Sequence, residues 1–299
     1  MSRVVVAVAV AAALLIAPST TWGDDPPYVG WTQLLPGLTT QYSPSSENDC
    51  VAGRTHCVDA VIRELRRRFD PLAQACDHDS IFALAYLRTT EEYRRTIEDP
   101  TFFSDTPFVN HEDAVFAGLY FDAYDAWHAG RPDVTPPAWA IAFEAARTHA
   151  VTAQGNLSLG INAHVQRDLP FVLAGIGLVK PDGSSRKPDH DRVNEFLNRV
   201  TDDLYAEIAR RFDPTINDAN LPGTADDILV FQLIPTWREI AWRNAERLVS
   251  AATPLQRAQV ASSIEMYAAS QAETIRRATA YPLGQNSSTR DAYCARNGS

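Results

Sequence analysis

The sequence predicts an all-α fold, a single-domain orthogonal or bundle-like array of about eight helices stapled by disulfides. Three observations carry that expectation. From Val58 onward, long segments rich in alanine, leucine and arginine place apolar residues three and four apart. Connectors marked by proline, glycine and asparagine separate these segments, and strand-like alternation is scarce. The cysteines, Cys50, Cys57, Cys76 and Cys294, form an even set, as a disulfide framework requires.

Residues 1–23 read as a secretory signal peptide. Arg3 precedes an apolar run from Val4 to Ala17, and small or polar residues lead to a cleavage point near Gly23. That run is shorter than the ~20 residues a membrane helix needs. The mature chain is therefore expected to be secreted, with no integral membrane segment. Residues 24–48 carry prolines, serines and threonines without periodicity and suggest an extended arm. A helical domain follows over 49–283, with helices expected at 58–69, 80–97, 112–128, 138–153, 157–178, 191–211, 225–251 and 255–280. Its connectors, such as "AGRPDVTPP" and "KPDGSSRKP", are short enough for a compact array. The pentapeptide "RRFDP" occurs at 67–71 and again at 210–214 with unlike flanks. A shared helix stop explains both, because arginines suit the last turn and Asp-Pro blocks continuation. Residues 284–299 are expected to form a tail tethered through Cys294.

The formal charge is −10, and loss of Arg3 with the signal peptide makes it −11. This acidic balance disfavours nucleic acid and anionic membranes as partners. The basic concentration at Arg63, Arg66, Arg67 and Arg68 spreads around a helix and reads as a solvated helix end. A small molecule or an envelope component is the expected partner. Of three possible disulfide pairings, Cys50 with Cys57 closes a short loop over "VAGRTH" and leaves Cys76 for Cys294. Zinc thiolate ligation is the rival, although no CxxC pair is present.

The polar residues on apolar faces carry the chemistry. At ~100° per residue, His164 and Asp168 in "LGINAHVQRDLP" fall mid-stripe among Ile161, Val172 and Phe171, while Gln166 and Arg167 take the outer side. A buried carboxylate must meet a partner, a proton or a metal. Asp113 shares a face with Phe116, Ala117, Tyr120, Tyr124 and Trp127; alternatively, Asn110 caps the helix and Asp113 stands at capping-box spacing. His190 and Asn194 align with Val193, Leu197, Thr201, Leu204 and Ile208, with Asp189 near the helix start. Asp79 shares a side with Ala83, Tyr86 and Thr90. Such histidines and carboxylates bind zinc, manganese or iron, or perform acid–base catalysis. His164 and Asp168 are the candidate catalytic pair. Together with Asp113 and His190 they are the candidate metal ligands, supported by Asn162, Asp189 and Asn194. A buried hydrogen-bonded pair is the plain alternative, and convergence of Asp113 and His190 on His164 decides between them. HExxH, GxSxG, a phosphate-cradling glycine loop and the ExxH pair of di-iron bundles are all missing.

The stretches "LGINAHVQRDLPFVLAGIGL", "RKPDHDRVNEFLN", "FALAYLRTTEEY", "NHEDAVFAGLYFDAYDAW" and "WREIAWRNAERL" resemble an exported bacterial family of unknown function, frequent in actinobacteria. The likeness covers about 50–280, and its most specific element is Asn162, Ala163, His164, Asp168, Leu169 and Pro170. It implies an all-helical domain and no particular reaction. A more distant resemblance, through HxxxD on a helix, is to the zinc-dependent phospholipase C and single-strand nuclease superfamily. This chain lacks that superfamily's N-terminal tryptophan ligand and further histidines, so the resemblance implies one ion, or at most two. Two readings follow: a metal-dependent ester or phosphoester hydrolase, or a non-catalytic binding domain with a saturated polar network.

Overall fold

The computed structural model describes residues 38–216 and 228–298. The signal peptide, most of the arm and the expected start of a helix at 225 lie outside the described residues. Among those described are the helices α1 (Thr55–Ala75), α2 (Ser80–Thr96), α3 (Thr106–His128), α4 (Pro137–Arg147), α5 (Ala153–Ile161), α6 (Leu169–Ile176), α7 (Lys187–Arg211), α8 (Ile228–Ser250), α9 (Pro254–Ala278) and α10 (Ser288–Asn297). A π-helical segment, Asn162–Asp168, joins α5 to α6. Two isolated bridges, Val151 with Ala280 and Val179 with Ser185, are the only β pairing among the described residues. The all-α expectation holds, and so does the disulfide pairing, Cys50–Cys57 and Cys76–Cys294. No helix among the described residues is long and apolar enough to cross a membrane.

Side-chain caps set the starts of α3, α5 and α9. Asp105 accepts from the Phe108 amide at 3.3 Å and Pro107 follows it in the first turn of α3. Thr152 caps α5 by accepting from Gly155, and Thr253 caps α9 by accepting from Gln256. Because α3 begins at Thr106, Asn110 is not a cap. It is buried inside the helix, accepting from the Tyr93 hydroxyl at 2.6 Å and donating to the Gly53 carbonyl at 2.8 Å. The capping-box alternative for Asp113 falls with it.

Tertiary packing overrides other local signals. The helix stop expected at 67–71 does not operate: α1 runs through Pro71 to Ala75. A proline there removes one amide donor, and burial of Leu72 and Ala73 beyond it outweighs that loss. Its twin behaves as expected, since α7 ends at Arg211. Arg68 is not solvated. It is 3% exposed, pairs with Asp125 and Glu64, and lies 4.2 Å over the Phe121 ring. The helix expected at 138–153 breaks after Arg147, where His149 takes a left-handed conformation (φ 53°). The described part of the expected tail, 284–298, contains α10, which docks through Cys294 and the buried Arg290.

The helix expected at 157–178 is the centre of the molecule and has three parts. Pro170 has no amide to give the Gln166 carbonyl, and the Leu169 amide reaches back five residues to the His164 carbonyl. All seven residues of the π segment are buried, since α3, α4, α5, α6, α8 and α9 all touch it. Gln166 and Arg167, expected on the outer side, are each 1% exposed for that reason. A helix enclosed by others has no outer side.

Candidate functional site

Asp168 is wholly buried and accepts from three donors. The Trp139 indole Nε1 lies 2.9 Å from Oδ2, Arg167 Nη1 lies 2.9 Å from Oδ1, and His164 Nδ1 lies 3.2 Å from Oδ2. Trp139 and Arg167 can only donate, so the carboxylate is an acceptor throughout and the His164 proton sits on Nδ1. The other ring nitrogen, Nε2, is therefore a bare acceptor. It is buried and has no hydrogen-bond partner among the described residues. Phe116 stacks on the imidazole with centroids 3.5 Å apart and planes 8° from parallel. The Tyr86 ring, centred 4.4 Å away, presents a second unpartnered buried oxygen. Burial holds the His164 pKa below the ordinary imidazole value, against the pull of Asp168.

His164 lines a cavity of about 130 Å³ between α2, α3, α7, α8 and the π segment. Its walls are apolar and aromatic (Phe82, Phe116, Phe196, Leu197), and its polar groups come chiefly from Glu112, Asp113 and Arg238. Burial raises both carboxyls to about 7. For Asp113 the neighbouring Glu112 adds to the rise, and for Glu112 the positive Arg238 opposes it. One oxygen of Asp113, Oδ2, is buried without a partner. An oriented imidazole base, a carboxylic acid that keeps its proton near neutrality and a buried guanidinium thus face one apolar space, a constellation suited to proton transfer.

The raised carboxyl has a consequence for stability. Between its ordinary pKa near 4 and its folded value of about 7, Asp113 keeps a proton that the unfolded chain has released, so its contribution to stability falls as pH rises through that window. Asp113→Asn should abolish this component. Urea unfolding is expected to show the variant gaining roughly 2–4 kcal/mol on wild type between pH 5 and 8. Parallel pH curves for the two proteins would refute the assignment.

His164, Asp168 and Asp113 are thus adjacent, but not as ligands of one ion. Asp168 stands behind the imidazole, and His190 does not line the cavity. Its Nε2 faces the Arg238 carbonyl at 3.3 Å and its Nδ1 accepts from Arg238 Nη2 at 3.2 Å. Asn162 bridges Gln166 to the Ala268 carbonyl of α9. Asp189 binds the Ser104 amide and hydroxyl and the Asp105 amide at the start of α3. Asn194 Oδ1 is buried and unpartnered. Glu112, Arg238, Tyr86, Trp139 and Arg167 were not singled out from the sequence. Arg167, adjacent to Asp168 in "QRDLP", was the most findable.

The ligand-type atoms that lie within ion-sharing distance among the described residues are elsewhere, in His78, His149 and Asp291. His78 Nε2 is 2.8 Å from Asp291 Oδ1, His149 Nδ1 is 3.1 Å from Oδ2, and the two rings stack at 4.0 Å. Arg290 Nη1 stands 3.2 Å from His78 Nδ1, which must therefore accept. That leaves the proton on Nε2, directed at Asp291. A metal at Nε2 would need the opposite tautomer, with N–H facing N–H at Arg290. The donor set matches zinc, manganese or iron in type, while the Arg290 contact opposes it.

A sequence family described as a family of unknown function, DUF5995, matches residues 58–278. The chain belongs to DUF5995. No curated protein and no solved structure matches it. The DUF5995 region contains every described residue lining the cavity, together with Asp168, Trp139, Arg167 and Glu265. Asp291, which completes the second group, lies beyond it.

Proposed function

We propose that this DUF5995 protein is a secreted hydrolase of small apolar esters, with His164 as general base and Asp113 as general acid. The observation that supports it is the bare Nε2 of a buried imidazole, oriented by Asp168, in a cavity shared with a protonated carboxyl. His164 Nε2 takes a proton from water and the oxygen bonds to the ester carbonyl carbon. Collapse of the adduct breaks the bond to the alkoxide, which receives the Asp113 proton. Acid and alcohol leave, and the proton on His164 returns to Asp113. Phosphoesters fit less well, since apolar walls enclosing about 130 Å³ oppose a strongly hydrated phosphate. Zinc, manganese or iron has no ligand set in this step, because Asp168 already accepts from three donors and His190 binds Arg238. Secretion accords with the two disulfides, which persist in oxidising compartments.

Chromogenic esters with acyl groups from acetyl to benzoyl test the proposal. Wild type should hydrolyse them, and His164→Ala should lose roughly 10²–10⁴-fold in kcat. The base form of His164 persists below pH 6.5 and the acid form of Asp113 is lost above about 7. The profile should therefore fall on its alkaline side near 7, and Asp113→Asn should lose that limb. Equal rates in wild type and His164→Ala, or no hydrolysis above buffer, would reject the enzyme. A second reading, favoured by the apolar walls, is a non-catalytic domain that holds a small molecule or envelope component in the same cavity, and it predicts binding without turnover.

A further inference from the structure

We propose that the cavity binds a small carboxylate with an apolar body, and that Arg238 is the residue that recognises its charge. Binding is separable from hydrolysis, so this inference holds or fails independently of the reaction above.

Arg238 is 5% exposed. Its Nη2 donates to the His190 carbonyl at 2.6 Å and to His190 Nδ1 at 3.2 Å, both neutral acceptors. Its Nε is buried with no partner among the described residues. No carboxylate among the described residues hydrogen-bonds to the guanidinium; Glu112 and Asp191 act on it only at longer range. A buried cation without a counterion costs several kcal/mol, and arginine stays charged at any working pH. Among the described residues, the site is therefore incomplete in charge as well as in hydrogen bonding. A planar carboxylate answers both needs, because it accepts in-plane from a guanidinium and brings one negative charge.

The rest of the cavity sets the body of the ligand. Phe82, Phe116, Phe196 and Leu197 offer apolar and aromatic surface, and the volume of about 130 Å³ approaches that of an apolar cavity able to hold one benzene, ~150 Å³. A short branched acid fits that space and benzoate marks its upper limit, with the carboxylate at Arg238 and the ring against the apolar walls, whereas a long fatty acid exceeds it. The other groups facing this space do not compete as anions in mildly acidic solution. Glu112 and Asp113 of α3 hold their protons below about 7, Tyr86 and Tyr93 of α2 titrate well above 10, and burial lowers the pKa of His164; His190, behind Arg238 and outside the cavity wall, is likewise held low by burial.

Calorimetric titration of the whole protein at pH 6 with benzoate and with its neutral isostere benzamide reads the charge preference directly. Wild type should bind benzoate at least tenfold more tightly. Arg238→Met should lose that preference while still binding benzamide, which also certifies its fold, and Arg238→Lys should keep part of it. Equal affinities for the two ligands in wild type, no binding of either, or an undiminished preference in Arg238→Met would each overturn the proposal. Should Arg238→Met fail to fold, the wild-type ratio and its fall between pH 6 and 8, as Glu112 and Asp113 ionise, decide the matter. Hydrolysis is read separately, so benzoate binding with inert esters would reject the reaction and retain this site.

Discussion

Arg167→Met should destabilise the protein by about 3–5 kcal/mol, because it strands two carboxylates in the centre of the fold. Arg167 is 1% exposed, with Nη1 on Asp168 and Nε on Glu265 Oε1 at 2.7 Å. Methionine replaces much of the apolar stem and none of the charge. Glu265, whose pKa burial already raises, would be expected to take up a proton at neutral pH, and Asp168 would lose one of its fixed donors. Arg167→Met/Glu265→Gln should recover part of the loss by removing one stranded charge. Urea unfolding of wild type and both variants measures this. A loss under about 1 kcal/mol for Arg167→Met would mean that the network is not the electrostatic support of the dyad that its geometry indicates.

The second large effect is expected from the disulfide that closes the long loop. Cys76 and Cys294 are separated by 218 positions, and the loop-entropy relation gives about 5 kcal/mol for opening a loop of that size. For Cys50–Cys57, separated by 7 positions, the same relation gives about 2–3 kcal/mol. Cys76→Ala/Cys294→Ala should therefore unfold at lower denaturant than Cys50→Ala/Cys57→Ala. It should also loosen α10, exposing His78 to solvent and drawing Arg290 away from it, visible as a rise in the His78 pKa from about 3 toward the ordinary imidazole value even though the raising contact with Asp291 is lost. The reverse order of stability, or an unchanged His78 titration, would show that α10 stays docked through Arg290 and Asn156 without the covalent tie.

The sequence by itself determined the helical class, the sites of most elements and the inward direction of His164 and Asp168, and it suggested, among three possibilities, the cysteine pairing that the structure shows. These follow from local quantities: the 3.6-residue period, caps and breakers, and the short loop between Cys50 and Cys57. The inward position of Asp113 was legible in the same way. What the tertiary structure alone decided is which inward groups meet. Asp113 and His164 reach one cavity, whereas His190, equally inward on its own helix, turns to Arg238. The π segment belongs to the same category. Pro170 marks it in the sequence, but a missing amide can be met by a kink, a break or a wider turn, and the packing of α3, α4, α8 and α9 around it selects among them. Trp139, Arg167 and Glu265, which hold Asp168 in place, stand on α4, the π segment and α9. His78, His149 and Asp291 are brought together from segments more than two hundred residues apart at the extremes. Side-chain convergence across such distances leaves no periodic trace, because the periodicity of a helix records which face is buried and carries no information on what it is buried against.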